Sequence, residues 1–164
     1  MNYWILQHNP AILPVGDTNY PGQVPANLDY WRIRNHTKHV KKDDQTFIWY
    51  SNTNKAKRGI YNIAQIVSVE PHSPEAQRYI MLMWESDRLR YNPIAYARLG
   101  QYPAILIRRQ YPSDFDPHIS LDELKNADFA DFPAVYAPYQ WGIRWVDPET
   151  GERLMMHIQK TRGR

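Results

Sequence analysis

Gln45–Val69, QTFIWYSNTNKAKRGIYNIAQIVSV, decides how the rest of the chain is read. Two apolar runs, Thr46–Tyr50 and Ile60–Val69, flank a polar connection carrying Ser51, Asn52, Lys55, Lys57, Arg58 and Gly59. The runs are rich in Ile, Val, Phe, Trp and Tyr, residue types that fit a pleated, half-buried surface. Gly59 offers the backbone freedom that a turn back into a sheet calls for. The stretch predicts a β-hairpin at the centre of a barrel, with a polar and basic tip.

On the N-terminal side, Asn2–Leu6 predicts a strand ended by Asn9-Pro10, since the residue before proline is pushed into extended or turn geometry. Pro10–Asn27 is dense in Pro, Gly and Asn and reads as a long loop, functional or disordered. Lys41-Lys42-Asp43-Asp44 reads as the turn into the hairpin. On the C-terminal side, Ser73-Pro74-Glu75 is a helix start, and Ala76, Ile80, Met83 and Trp84 keep a helical period over 74–89. Ala104–Arg109 predicts a strand, and Ser120-Leu121-Asp122-Glu123 a capping box opening a short helix to about Lys125. Asp128–Tyr139 reads as loop and Trp141–Val146 as a late strand, while Asp147–Gly151 fits either a hairpin turn or the cap of a final helix. No internal repeat is visible, and the strands are too scattered for a βαβ array. The predicted class is α+β, mostly β, a small barrel with helices packed outside it, in one domain over 1–164.

Composition agrees with that class. The 7 Gly, 13 Pro and 12 Tyr of 164 residues favour short elements joined by stiff loops over a helical bundle. The chain has no apolar run of membrane-spanning length, no signal-like start in MNYWILQHNP and no Cys, so a cytoplasmic protein is expected. Charge is unevenly spread. Arg32, Arg34, Lys38, Lys41, Lys42, Lys55, Lys57 and Arg58 stand against only Asp43 and Asp44, a local net of +6 in a chain whose total is +3. A basic patch among aromatics is the electrostatic footprint of nucleic-acid contact.

Two constellations suit a planar ring. Trp31 with Arg34 and Asn35 sets an indole beside a guanidinium fork and an amide, donors and acceptors that match a base edge. Trp49-Tyr50-Ser51-Asn52 repeats the arrangement with a hydroxyl and an amide. Two aromatic walls with polar groups between them would grip a base flipped out of a duplex. Lys38, Lys41, Lys42, Lys55, Lys57 and Arg58 are the candidate phosphate contacts. His8, His36 and His39, even with Asp43 and Asp44, lack a recognisable metal-ligand spacing. There is no Gly-rich phosphate loop, no nucleophile elbow and no Cys nucleophile, and Glu85, Asp87, Asp114 and Asp116 are explained by solvation. No metal, cofactor or catalysis is expected.

Tyr3–Leu6, Trp31 with Arg34-Asn35, Phe47–Asn52 and Gly59–Val67, taken together, resemble the EVE domain, a member of the PUA-like group related to YTH domains. The hairpin motif is the most specific part, a strand ending in an aromatic and Ser-Asn, a basic loop, then Gly-Ile and an apolar strand. The resemblance implies a PUA-like pseudo β-barrel and a non-enzymatic reader of a modified base, more so in DNA, flipped into an aromatic cage. Carried onto this chain, it points to Trp31, Arg34, Asn35, Trp49, Ser51 and Asn52 as the base pocket. An RNA-binding module of translation or RNA modification and a protein-interaction domain are the alternatives. Two departures stand out. Gln7-His8-Asn9-Pro10 replaces the family's frequent Lys-Ser-Glu-Pro, and Asp43-Asp44 replaces its usual Gly-Asp.

Overall fold

The structure is a computed structural model and describes residues 1–8, 27–33, 36, 38–51, 57–70, 103–111, 117–126, 128–136 and 143–162. Seven strands and three helices are defined among them: β1 (Tyr3–His8), β2 (Leu28–Arg32), β3 (Gln45–Tyr50), β4 (Gly59–Glu70), β5 (Ala104–Arg109), β6 (Ile119–Ser120), α1 (Leu121–Asn126), α2 (Pro133–Tyr136), β7 (Ile143–Val146) and α3 (Pro148–Arg162). The predicted hairpin is β3 and β4, antiparallel from Gln45 opposite Gln65 to Tyr50 opposite Gly59. It lies at the middle of a mixed sheet ordered β2-β5-β4-β3-β1-β7, with β6 paired to β4 off that path. Among the described strands, β1 and β3 are the one parallel pair. The order has two free ends, so the barrel is open rather than closed.

Curvature enters through β4. Its 12 residues first pair β3 and then continue against β5, with irregularities at Ile48/Trp49 and at Ile66/Ser68. Such bulges bend a strand and add twist, which lets one long strand serve two neighbours. Gly59 acts differently from the expectation. Its φ lies outside the left-handed region, and a Cβ there would sit 2.3 Å from the Ile119 carbonyl oxygen and 2.6 Å from Pro117 Cβ. Glycine is present because β6 crosses too closely for any side chain.

Alternation along the strands builds two apolar layers. Tyr3, Ile5, Phe47, Trp49, Ile60 and Ile63 point to one face and meet Leu121 and Leu124 of α1, Ala134 of α2, and Leu154 and Ile158 of α3. Trp4, Leu6, Ile48, Ala64, Ile66, Ile105, Ile107 and Ile143 point to the other, where Ile33 and Val40 close the cluster. Burial on both sides explains why β3 reads as an unbroken apolar run.

Local signals mostly carry through. Ser120 N–H donates to Glu123 Oε2 at 2.7 Å and Glu123 N–H returns a bond to Ser120 Oγ at 3.2 Å, the reciprocal cap that starts α1. The Asp147 ambiguity resolves as a helix. Thr150 N–H donates to Asp147 Oδ2 at 2.8 Å, Pro148 takes the first helical position, and those bonds hold the Asp147 carboxyl below the usual carboxylate range. The first strand runs on to His8, beyond the predicted Leu6. The stretch read as loop over 128–139 contains one helical turn, α2. The predicted 74–89 helix, residues 10–26 and the four carboxylates Glu85, Asp87, Asp114 and Asp116 lie outside the described residues.

Candidate nucleic-acid interface

The described residues of the loop from His36 to Asp44 have identifiable backbone anchors. His36 and Asp43 both adopt positive φ, 57° and 71°, a conformation uncommon for residues other than glycine. The His36 carbonyl accepts bonds from His39 N–H at 2.9 Å and Val40 N–H at 3.1 Å, which folds the segment into a tight turn. Val40 is buried and pins that turn to the second apolar layer. Asp43 N–H donates to the Ile66 carbonyl at 2.8 Å, and Ile66 N–H donates to the Asp44 carbonyl at 2.8 Å, so the ladder with β4 begins before β3 itself.

Asp44 is the hub of this end. Its carboxylate is 3% exposed. It accepts from Asn2 N–H at 2.9 Å, Trp4 Nε1–H at 2.9 Å and Lys41 N–H at 3.0 Å, with the Asn2 amide at 3.3 Å. A buried carboxylate needs such donors to offset its desolvation. The bonds tie the start of β1, an indole and the basic loop into one unit.

That unit borders a cavity of about 570 Å³. Asn2, Trp4, His36, Lys38, His39, Lys41 and Trp145 line it. Trp4 and Trp145 are direct cross-strand partners on β1 and β7, so their side chains share a face. Their surroundings differ sharply. Trp4 is 1% exposed and hydrogen-bonded, with the His36 ring 5.6 Å away and tilted by 47°. Trp145, on a strand at the end of the sheet, is 48% exposed. Lys38, His39 and Lys41 are exposed as well. An open indole beside a ring of donors and positive charge is suited to stacking a planar group and holding an anionic backbone.

The residues predicted from sequence divide between two ends of the sheet. Trp49 is 0% exposed and belongs to the helix-covered layer, whereas Trp31 is half-buried against the opposite layer. Through the strand register Trp49 faces Ile60, while Trp31 aligns through Ile105 with Val69. Nine positions along β4 correspond to about 30 Å. The two indoles therefore do not wall one slot, and the expected clamp is corrected on that ground. Trp49 is apolar core because its strand position faces the helices. Ser51 is buried at the Trp49 end.

Of the predicted phosphate contacts, Lys38 and Lys41 line the cavity and Lys42 is exposed beside them. Lys57 is exposed at the far end of β3, about 20 Å away along a six-residue strand. Arg58 is 6% exposed and its carbonyl accepts Leu121 N–H at 2.8 Å, so it is structural rather than a surface contact. Arg34, Asn35, Asn52 and Lys55 lie outside the described residues. Sequence reasoning passed over Trp145, Asn2 and the cavity role of His36 and His39. The spacing of the two His residues drew attention only to metals. Among the described residues, no three His, Asp or Glu side chains are grouped to hold a metal ion. Nothing local to Ile143–Val146 signals that Trp145 will meet a loop a hundred positions earlier.

Residues 2–157 match the model of the EVE domain family. No curated protein matches the chain. Among solved structures, a hypothetical protein from Leishmania major superposes with a TM-score of 0.63 at 13% identity, covering 100% of this chain and 98% of that one. The human THYN1 protein in complex with 5-methylcytosine-containing DNA gives 0.59 at 15% identity, covering 97% and 98%. Protein PSPTO5229 from Pseudomonas syringae gives 0.56 at 16%, covering 95% and 99%. At these identities the likeness is one of fold.

Proposed function

Because the chain belongs to the EVE domain family, we propose that it is a non-enzymatic module that binds DNA carrying a modified base and receives that base in the Trp4–Trp145 cavity. The observation that carries this reading is the exposed Trp145 indole lining the same cavity of about 570 Å³ as Lys38, His39 and Lys41. That volume lies within the range of sites that enclose small ligands. Stacking a base on an aromatic ring is worth about 1–3 kcal/mol, comparable to the few kcal/mol needed to extract it from a duplex. The human THYN1 protein, similar in fold, is solved with 5-methylcytosine-containing DNA, which supports a modified base as the ligand class.

In this reading Trp145 supplies the stacking face. Lys38, Lys41 and Lys42 neutralise phosphates, and Arg34 and Asn35, which immediately precede His36 in the sequence, read the edge of the base. Trp31 supports the second apolar layer rather than touching the ligand. Titration of fluorescent duplexes that differ at one cytosine, methylated or not, tests the proposal, with RNA of the same sequence as competitor. The methylated duplex is expected to bind more tightly, and Trp145→Ala to remove the difference. Equal binding of both duplexes overturns the reading, and stronger competition by the RNA moves the ligand class from DNA to RNA.

A further inference from the structure

We infer that the cavity prefers a base whose substituent is anionic, such as a 5-carboxyl group, over one bearing a neutral methyl; the inference rests on the base-binding reading above. Two separate observations lead there. The first is the charge of the wall. Lys38 and Lys41 contribute two ammonium groups, His36 and His39 two imidazoles, and Asn2 an amide. No carboxylate is among the described lining residues.

The second is the fate of the nearest acids. Asp44 is adjacent, but its oxygens are taken up by the Asn2, Trp4 and Lys41 donors and it is nearly sealed from solvent. Asp43 is exposed, and its Oδ1 accepts a bond from Gln65 Nε2 at 3.2 Å. Neither acid is among the described residues that line the cavity. The cavity thus offers an anionic substituent positive charge and hydrogen-bond donors. A methyl group gains only apolar contact with the two lining indoles, of which Trp4 is almost fully buried. A carboxylate gains charge-assisted hydrogen bonds, the stronger class. Size permits it. At about 30 Å³ per water, the cavity equals the volume of roughly 19 waters, more than a bare pyrimidine ring fills.

The test uses the full chain and three duplexes identical but for one position, cytosine, 5-methylcytosine or 5-carboxylcytosine, titrated at fixed ionic strength. The phosphates are the same in all three, so a preference among them reports on the base and not on the backbone. The 5-carboxyl duplex is expected to bind about tenfold more tightly than the 5-methyl one, the scale of one hydrogen bond to a charged group. Lys38→Gln and Lys41→Gln, both exposed and compatible with folding, are expected to bring that ratio toward one. A 5-methyl duplex that binds as well as or better than the 5-carboxyl duplex, with both above cytosine, overturns this inference and leaves the base-binding reading standing. Equal binding of all three overturns both. A 5-carboxyl preference that survives unchanged in both lysine variants overturns the assignment to this cavity.

Discussion

The two ends of β3 carry the same residue types and opposite fates. At its C-terminal end Trp49, Ser51 and Arg58 combine an indole, a hydroxyl and a guanidinium, and all three are buried, Trp49 in the helix-covered layer. At its N-terminal end the loop 36–44 and Trp145 again combine aromatic and cationic groups, and there they remain open around a cavity. The difference lies in what covers each end. Gly59 lets β6 and the start of α1 press directly onto the hairpin tip. At the other end Asp44 gathers the chain inward and leaves a rim. Aromatic-plus-cation composition alone does not make a site; access does.

That contrast can be broken most forcefully at Trp49. Trp49→Ala leaves a large void in the helix-covered layer and is expected to cost about 3–5 kcal/mol of stability, read as a large drop in the thermal midpoint. A variant that keeps its stability and loses only DNA affinity would place the site at the hairpin tip after all. Asp44→Ala comes next. It strands the Asn2 and Lys41 amides and the Trp4 indole N–H, and should cost about 2–3 kcal/mol while also weakening ligand binding. Undiminished stability there would mean that these donors find other partners.

Trp145→Ala sharpens the comparison from the other side. With its ring half in solvent, stability should hardly move, while affinity for a modified duplex falls by about 1–3 kcal/mol. The smallest effect separates two lysines at opposite ends of β3. Lys42→Ala should weaken binding to all duplexes alike and reduce the slope of log affinity against log salt by about one, whereas Lys57→Ala should leave the slope unchanged. Equal effects of the two would show one continuous phosphate track along the strand.

Much of the fold was legible because its signals are local. The β3–β4 hairpin follows from two β-rich runs around a polar connection, β5 from six residues of apolar pattern, and α1 from a reciprocal cap four residues long. Where a local signal admitted two outcomes, as at Asp147-Pro148, packing selected one. A side chain 2.3 Å from where a Cβ on Gly151 would stand shows how tightly α3 seats on Tyr3. The site was less legible. Lys38 and Lys41 stood out from charge alone, but their partners did not.

The order of apolar, basic and turn-forming residues by itself determined β1, β3, β4, β5 and β7, the α1 cap, the basic loop and the family resemblance, since each depends on neighbours a few positions apart. Only the tertiary structure decided that Trp49 is core and Trp145 is surface. Both are indoles on strands with an apolar neighbour on at least one side. Exposure depends on which face each strand turns toward the helices and on which edge of the sheet it occupies, and those are set by pairing partners and covering elements far away in the chain.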